Sequence, residues 1–219
     1  MDFIKTGFCQ IDVALGGLKR GEVYFISALG RNAARGFAAS LCASVDFLGV
    51  HKPIFITDSP VPYCRCEHIH FADMDELIDF FRVTLDGDKT YGLPKTDLYV
   101  FEDFDLLSMG SFNRWPTNTS LRAHLYEVHL YAIKNLAEAF QVAVLLVDKL
   151  YEGNYDSNGL NCDFPDIRYK LSCGSFMLNT VEANSLSIQY ISPQNPNSYS
   201  FHFTSAHKEI TQVFPAYVE

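Results

Sequence analysis

Apolar residues fall along this chain in two rhythms. Val23–Ala28, Pro53–Thr57, Asp97–Phe101 and Val142–Val147 are short runs dominated by large apolar side chains. Runs of that length, bounded by polar or glycine positions, predict buried strands. Between them the spacing is helical. Gly36–Leu48 is small and apolar without proline. Asp73 is placed to cap a helix Met74–Thr84, with Glu76 at the third helical position as in a capping box. Leu77, Ile78, Phe80 and Phe81 give that helix a core face. The longest helical pattern is Leu121–Phe140, where Leu125, Val128, Leu130, Ile133, Leu136, Ala137 and Phe140 recur near the 3.6-residue period. After residue 150 the rhythm changes to strands separated by turns: Ser175–Thr180, Ser185–Ile191 and Tyr199–Thr204, with a turn signal at Pro193–Pro196.

Strands that alternate with helices imply right-handed crossovers and a mostly parallel sheet flanked by helices. The C-terminal strands extend it as antiparallel partners. The expected class is therefore α/β, with residues 1–219 as a single domain. Ligands of such sheets bind at the carboxyl ends of the strands. Ser27–Arg35, Asp58, Glu102-Asp103 and Asp148-Lys149 all fall at those ends.

Composition narrows the picture. The 219 residues are 48% hydrophobic and 20% charged, values of a globular chain. No apolar run reaches the roughly 18–20 residues that span a bilayer, and the N-terminus lacks the layout of a secretory signal, so a cytoplasmic protein is expected. Cys9, Cys42, Cys64, Cys66, Cys162 and Cys173 are too scattered for a disulfide framework, which fits a reducing compartment. The net charge of −9 argues against a broadly nucleic-acid-binding surface. Lys19 with Arg20, and Arg31 with Arg35, are the tight basic pairs left for a local patch. With 18 Phe and 12 Tyr the chain is rich in rings, which fill a core or enrich an interface.

The segment after the first strand carries the candidate chemistry. Ser27-Ala28-Leu29-Gly30-Arg31-Asn32-Ala33-Ala34-Arg35-Gly36-Phe37 occupies the place of a phosphate-binding loop. A working loop ends in Gly-Lys-Ser/Thr; the lysine reaches the β- and γ-phosphates and the hydroxyl holds Mg²⁺. Here Ala33-Ala34-Arg35 stands at that end, and residues 21–51 contain no lysine.

On these residues the chain resembles the RecA-like motor domain of DnaB-type replicative helicases. The opening segment Thr6-Gly7-Phe8, Ile11-Asp12, Leu15-Gly16-Gly17-Leu18 and Gly21-Glu22 is similar to the family's lead-in. Ile54–Ser59 resembles its second strand, Asp97–Glu102 its Walker B strand, and Lys134–Ala139 with Val142–Leu150 the helix and strand ending in a phosphate-sensing glutamine. Pro165–Arg168 with Ser172–Gly174 resembles the segment before the last core strands. The resemblance implies a RecA-like P-loop NTPase fold. It also implies that Ala34 stands at the lysine position, Arg35 at the hydroxyl position, Glu102 at the Walker B aspartate, Asp58 at the catalytic glutamate and Lys149 at the sensing glutamine. Gly30, Arg31, Asn32, Ala33, Ala34 and Arg35 form a relic nucleotide loop.

Other features compete. Arg31 or Arg35 could contact phosphate in place of lysine, although the Mg²⁺ hydroxyl would still be missing. Glu102, Asp103 and Asp105 near Asp58 read as a metal site or a relic acidic rim. Cys64-x-Cys66-x-His68-x-His70 offers thiolate and imidazole, but on one strand its ends lie roughly 20 Å apart, too far for one zinc ion; a hairpin is the plainer reading. Tyr151–Pro165 is a polar loop with Glu152, Asp156 and Asp163 and no Lys or Arg, a poor phosphate contact.

The leading expectation is a catalytically inactive domain without a cofactor. It would act as a structural or regulatory protein in DNA replication or recombination, assembling with itself or with a replication or recombination ATPase. Arg31 and Arg35 would then meet acidic groups across the interface. The alternatives are a divergent ATPase binding ATP and Mg²⁺ weakly through Arg31 and Arg35, and a metal- or nucleic-acid-binding module around residues 64–70. No membrane partner is expected.

Overall fold

A computed structural model of the chain describes residues 2–28, 31–48, 52–57, 66–71, 76–77, 79, 96–102, 104, 119–149, 151–152, 160–161, 164–182, 185–193, 195–205 and 213–215. Strands β1 (Phe3–Ile4) and β2 (Leu18–Lys19) pair on either side of helix α1 (Cys9–Leu15). Then come β3 (Val23–Ala28), α2 (Arg31–Leu48), β4 (Ile54–Ile56), β5 (Glu67–Ile69) and β6 (Leu98–Glu102). Helix α3 (Thr119–Phe140), β7 (Ala143–Lys149), β8 (Tyr151–Glu152), β9 (Leu160–Asn161) and α4 (Pro165–Leu171) follow. The chain continues through β10 (Gly174–Glu182), β11 (Ser185–Ser192), β12 (Asn195–Ser205) and β13 (Val213–Pro215).

Nine strands form one sheet in the order β13-β12-β11-β10-β3-β7-β6-β4-β5. From β10 to β5 every pairing is parallel, and from β10 to β13 every pairing is antiparallel. The four expected core strands are adjacent as β3, β7, β6 and β4. All six residues of β3 are buried, as befits a central parallel strand covered on both faces.

The two faces follow from the strand period of two. Tyr24, Ile26, Phe55, Val100, Leu145 and Val147 point to one side, where α2 packs Ala34, Phe37, Ala38, Leu41, Cys42 and Val45 against them. Val23, Phe25, Ile54, Tyr99, Val144 and Leu146 point to the other, against Tyr126, Leu130, Ile133 and Leu136 of α3. Each of the larger side chains contributes about 1.5–3 kcal/mol of burial.

The opening segment turns out to be structural. Asp12, in α1, accepts the Thr6 N–H at 2.8 Å, the Thr6 hydroxyl at 2.9 Å and the Gly7 N–H at 3.1 Å. A carboxylate reaching back over the helix start in this way satisfies donors the helix itself leaves open. The Lys19–Arg20 pair lies at the amino ends of the strands, away from the ligand-binding side. Lys19 pairs with Glu22 at 3.2 Å. Arg20 pairs with Asp97 at 2.6 Å and donates to the Gln141 carbonyl at 3.1 Å. Both cations are thus committed within the chain.

Three local expectations change. Helix α2 starts at Arg31 rather than Gly36, because Arg-Asn-Ala-Ala-Arg lacks the glycines that hold a loop open and two of its five residues are alanine, the strongest helix former. Residues 67–69 form a parallel edge strand on β4, not a hairpin. Inside the expected polar loop, Tyr151 and Glu152 pair antiparallel with Asn161 and Leu160. Of the expected helix Met74–Thr84, Glu76, Leu77 and Asp79 are helical, and Asp73 lies outside the described residues.

Candidate functional site

The site sits where β3, β4, β6 and β7 end and α2 begins. In a helix that starts at Arg31, the amide N–H groups from the second turn onward bond to carbonyls four residues back. The stretch that would cradle phosphate is therefore helical. Its side chains follow the helical phase. Ala34, at the position implied for the lysine, is 0% exposed and sits in the apolar cluster with Phe37 and Ala38. An ammonium placed there would enter the core, where an unpaired charge is very costly.

Arg35, one residue on, turns toward the sheet. Its Nε lies 3.3 Å from Oε1 of Glu102. The other carboxylate oxygen of Glu102 accepts a hydrogen bond from the Thr57 hydroxyl at the end of β4. Glu102 is 2% exposed, so both interactions act in a medium that screens charge weakly. The acid at the Walker B position is thereby held by a guanidinium and a hydroxyl from its own chain. This differs from the expectation that Arg35 reaches across an interface.

A second buried ion pair closes the adjacent strand. Asp148 lies in β7, in register with Ser27 of β3. Its Oδ2 is 2.9 Å from Nη1 of Arg168, with side-chain exposures of 1% and 4%. The Arg168 guanidinium lies 4.7 Å from the Phe25 ring centroid and 5.7 Å from that of Tyr126, a cation–π geometry. Sequence reasoning gives Arg168 no place in the site. Its signal is a lone arginine between Ile167 and Tyr169, which reads as surface until the fold turns it inward.

The remaining expected residues divide as follows. Asn32 is exposed, Ala33 half-buried, and the backbone of Arg31 and of Lys149 lies in α2 and β7. Gly30, Asp58, Asp103, Asp105 and Cys64, with the side chains of Arg31 and Lys149, lie outside the described residues. Of the zinc candidates, Cys66 is buried, while His68 and His70 are exposed. The Cys66 sulfur is 4.0 Å from Nε2 of His68, and the Nδ1 of His70 is 3.4 Å from the Thr57 carbonyl oxygen. Cys66 is disulfide-bonded, which takes its thiolate out of a ligand set and departs from the all-reduced expectation. Among the described residues no group of three His, Cys, Asp or Glu side chains is placed to hold a metal ion. Cys173 is a free thiol that burial pushes above its ordinary pKa, opposite to the direction of a reactive thiolate. No helix among the described residues is long and apolar enough to cross a membrane.

No protein-family model matches the chain, and no curated protein matches it by sequence. Solved structures do match. The ATPase domain of a DnaB-type helicase superposes with a TM-score of 0.75 at 10% identity, over 98% of this chain and 91% of that one. The chain thus has the RecA-like α/β fold of a DnaB-type motor domain, with its parallel core strands and C-terminal antiparallel strands intact.

Proposed function

We propose that this chain is a catalytically inactive RecA/DnaB-like domain, a structural or regulatory component of DNA replication or recombination that works through protein–protein assembly. The observation that carries this reading is the pairing of Arg35 with Glu102 beside a core-buried Ala34. Phosphoryl transfer depends almost entirely on positioned positive charge and metal. Here the lysine place belongs to the core, and the Walker B acid is already neutralised. The domain requires no nucleotide, and direct nucleic-acid binding is not part of its role.

Assembly is what the rest of the fold supports. The helicase-like scaffold is retained while its chemistry is not. Leu121, Val128 and Tyr131 lie exposed at 44%, 46% and 40% along α3, at spacings that share one helical face, and Tyr169 of α4 is 57% exposed. Exposed aromatic and aliphatic side chains of this kind are enriched at interfaces. The partner is a second copy of the chain or a replication or recombination ATPase. Sedimentation of the purified chain, alone and mixed with such an ATPase from the same host, is expected to show a complex larger than the monomer in at least one case. A monomer throughout, together with no capture of an ATPase from host extract, removes the assembly reading.

A further inference from the structure

The fold of this chain implies a divalent ion beside the Walker B acid, and the residues present do not fit one. In P-loop NTPases Mg²⁺ is held by the loop hydroxyl and the Walker B carboxylate. Here the hydroxyl position carries Arg35, and Glu102 offers both its oxygens elsewhere: Oε1 to Arg35 Nε at 3.3 Å, Oε2 to the Thr57 hydroxyl. A magnesium ion demands oxygen ligands at about 2.0–2.1 Å in a near-octahedral shell. A guanidinium on the same carboxylate repels it and contributes donors only.

We infer that the Arg35 guanidinium takes the place of the divalent ion, serving as a permanent counter-charge for Glu102 and tying α2 to β4 and β6 without metal. Three features support this. Glu102 is 2% exposed, and Phe101 and Phe104 beside it in the chain are buried, as is Ile56 on the neighbouring strand. A carboxylate there needs a cation or must take up a proton. Arg35 is itself largely buried, with a side-chain exposure of 18%. Thr57 comes from the neighbouring strand β4, paired to β6 through Ile56 and Phe101, so the carboxylate is gripped from both sides. Arginine stays charged at all working pH values, whereas a bound ion depends on its free concentration. The inference goes beyond the proposed inactivity, which would hold equally if the acidic group bound metal idly.

The experiment is thermal unfolding of the full chain with EDTA and with about 10 mM Mn²⁺ or Mg²⁺. The wild-type midpoint is expected to be the same in all three. Arg35→Ser removes the guanidinium and supplies a hydroxyl, so its midpoint falls in EDTA and rises by roughly 3–6 °C with the ion, as expected for a millimolar site on a chain of this size. The double variant Arg35→Ser/Glu102→Gln is expected to show no such rise. A wild-type rise matching that of Arg35→Ser, no rise in Arg35→Ser, or equal rises in all three proteins overturns the inference. If Arg35→Ser does not fold in EDTA, its refolding yield is the readout. Recovery with the ion supports the inference, and failure with and without it overturns it. ATP turnover plays no part in this result, so it stands or falls separately from the proposed inactivity.

Discussion

Arg168→Ala is expected to destabilise the protein by about 3–5 kcal/mol, the range for removing one partner of a buried ion pair. The substitution strips Asp148 of a guanidinium 2.9 Å away at a position only 1% exposed. It also empties the space between the Phe25 and Tyr126 rings. Against a typical stability of about 5–15 kcal/mol, that loss leaves a marginal fold. The double change Arg168→Met/Asp148→Leu is expected to recover most of it, because well-packed apolar replacements of a buried pair are often neutral or better. Urea titration of the three proteins checks both statements. A single-variant loss below about 1 kcal/mol would mean that the pair is solvated and the site floor is open to water.

Gly17→Ala is expected to cost roughly 2–4 kcal/mol, while Gly16→Ala costs roughly 1 kcal/mol. The two glycines differ in what surrounds them. At Gly16, with φ +79°, an added Cβ meets only the Phe3 ring at 3.6 Å, an ordinary contact, and the cost is that of a left-handed residue ending α1. At Gly17, with φ +113°, the same atom would lie 2.3 Å from the Ile4 carbonyl oxygen. Ile4 is paired to Leu18 in the β1–β2 ribbon, so relief requires moving backbone. Equal losses for the two variants in urea titration would show that the ribbon shifts freely.

Much of this molecule was legible in its sequence for a physical reason. Strands buried on both faces must be apolar at every position, so β3, β4, β6 and β7 stood out as uninterrupted runs. Helix α3 was legible because Leu130, Ile133 and Leu136 repeat at the period of one buried face. Elements that bury little left no such trace. Strand β5 reads Glu67-His68-Ile69 and pairs on one side with β4 at one end of the sheet, and β8 and β9 have two residues each. The site divides in the same way. The loss of lysine and hydroxyl at Ala34 and Arg35 is written in the letters. What replaced them is not, because the early start of α2 sets the phase that buries Ala34 and aims Arg35 at Glu102. The Arg168–Asp148 pair depends on a contact between residues well separated along the chain, which no local pattern records.

The most direct test is phosphate release from ATP by the purified full chain in the presence of Mg²⁺. A core-buried Ala34 and a Glu102 held by Arg35 and Thr57 predict release no faster than in buffer alone. A turnover on the order of 1 s⁻¹, the lower end of ordinary enzymatic rates, that disappears in Glu102→Ala would contradict the account.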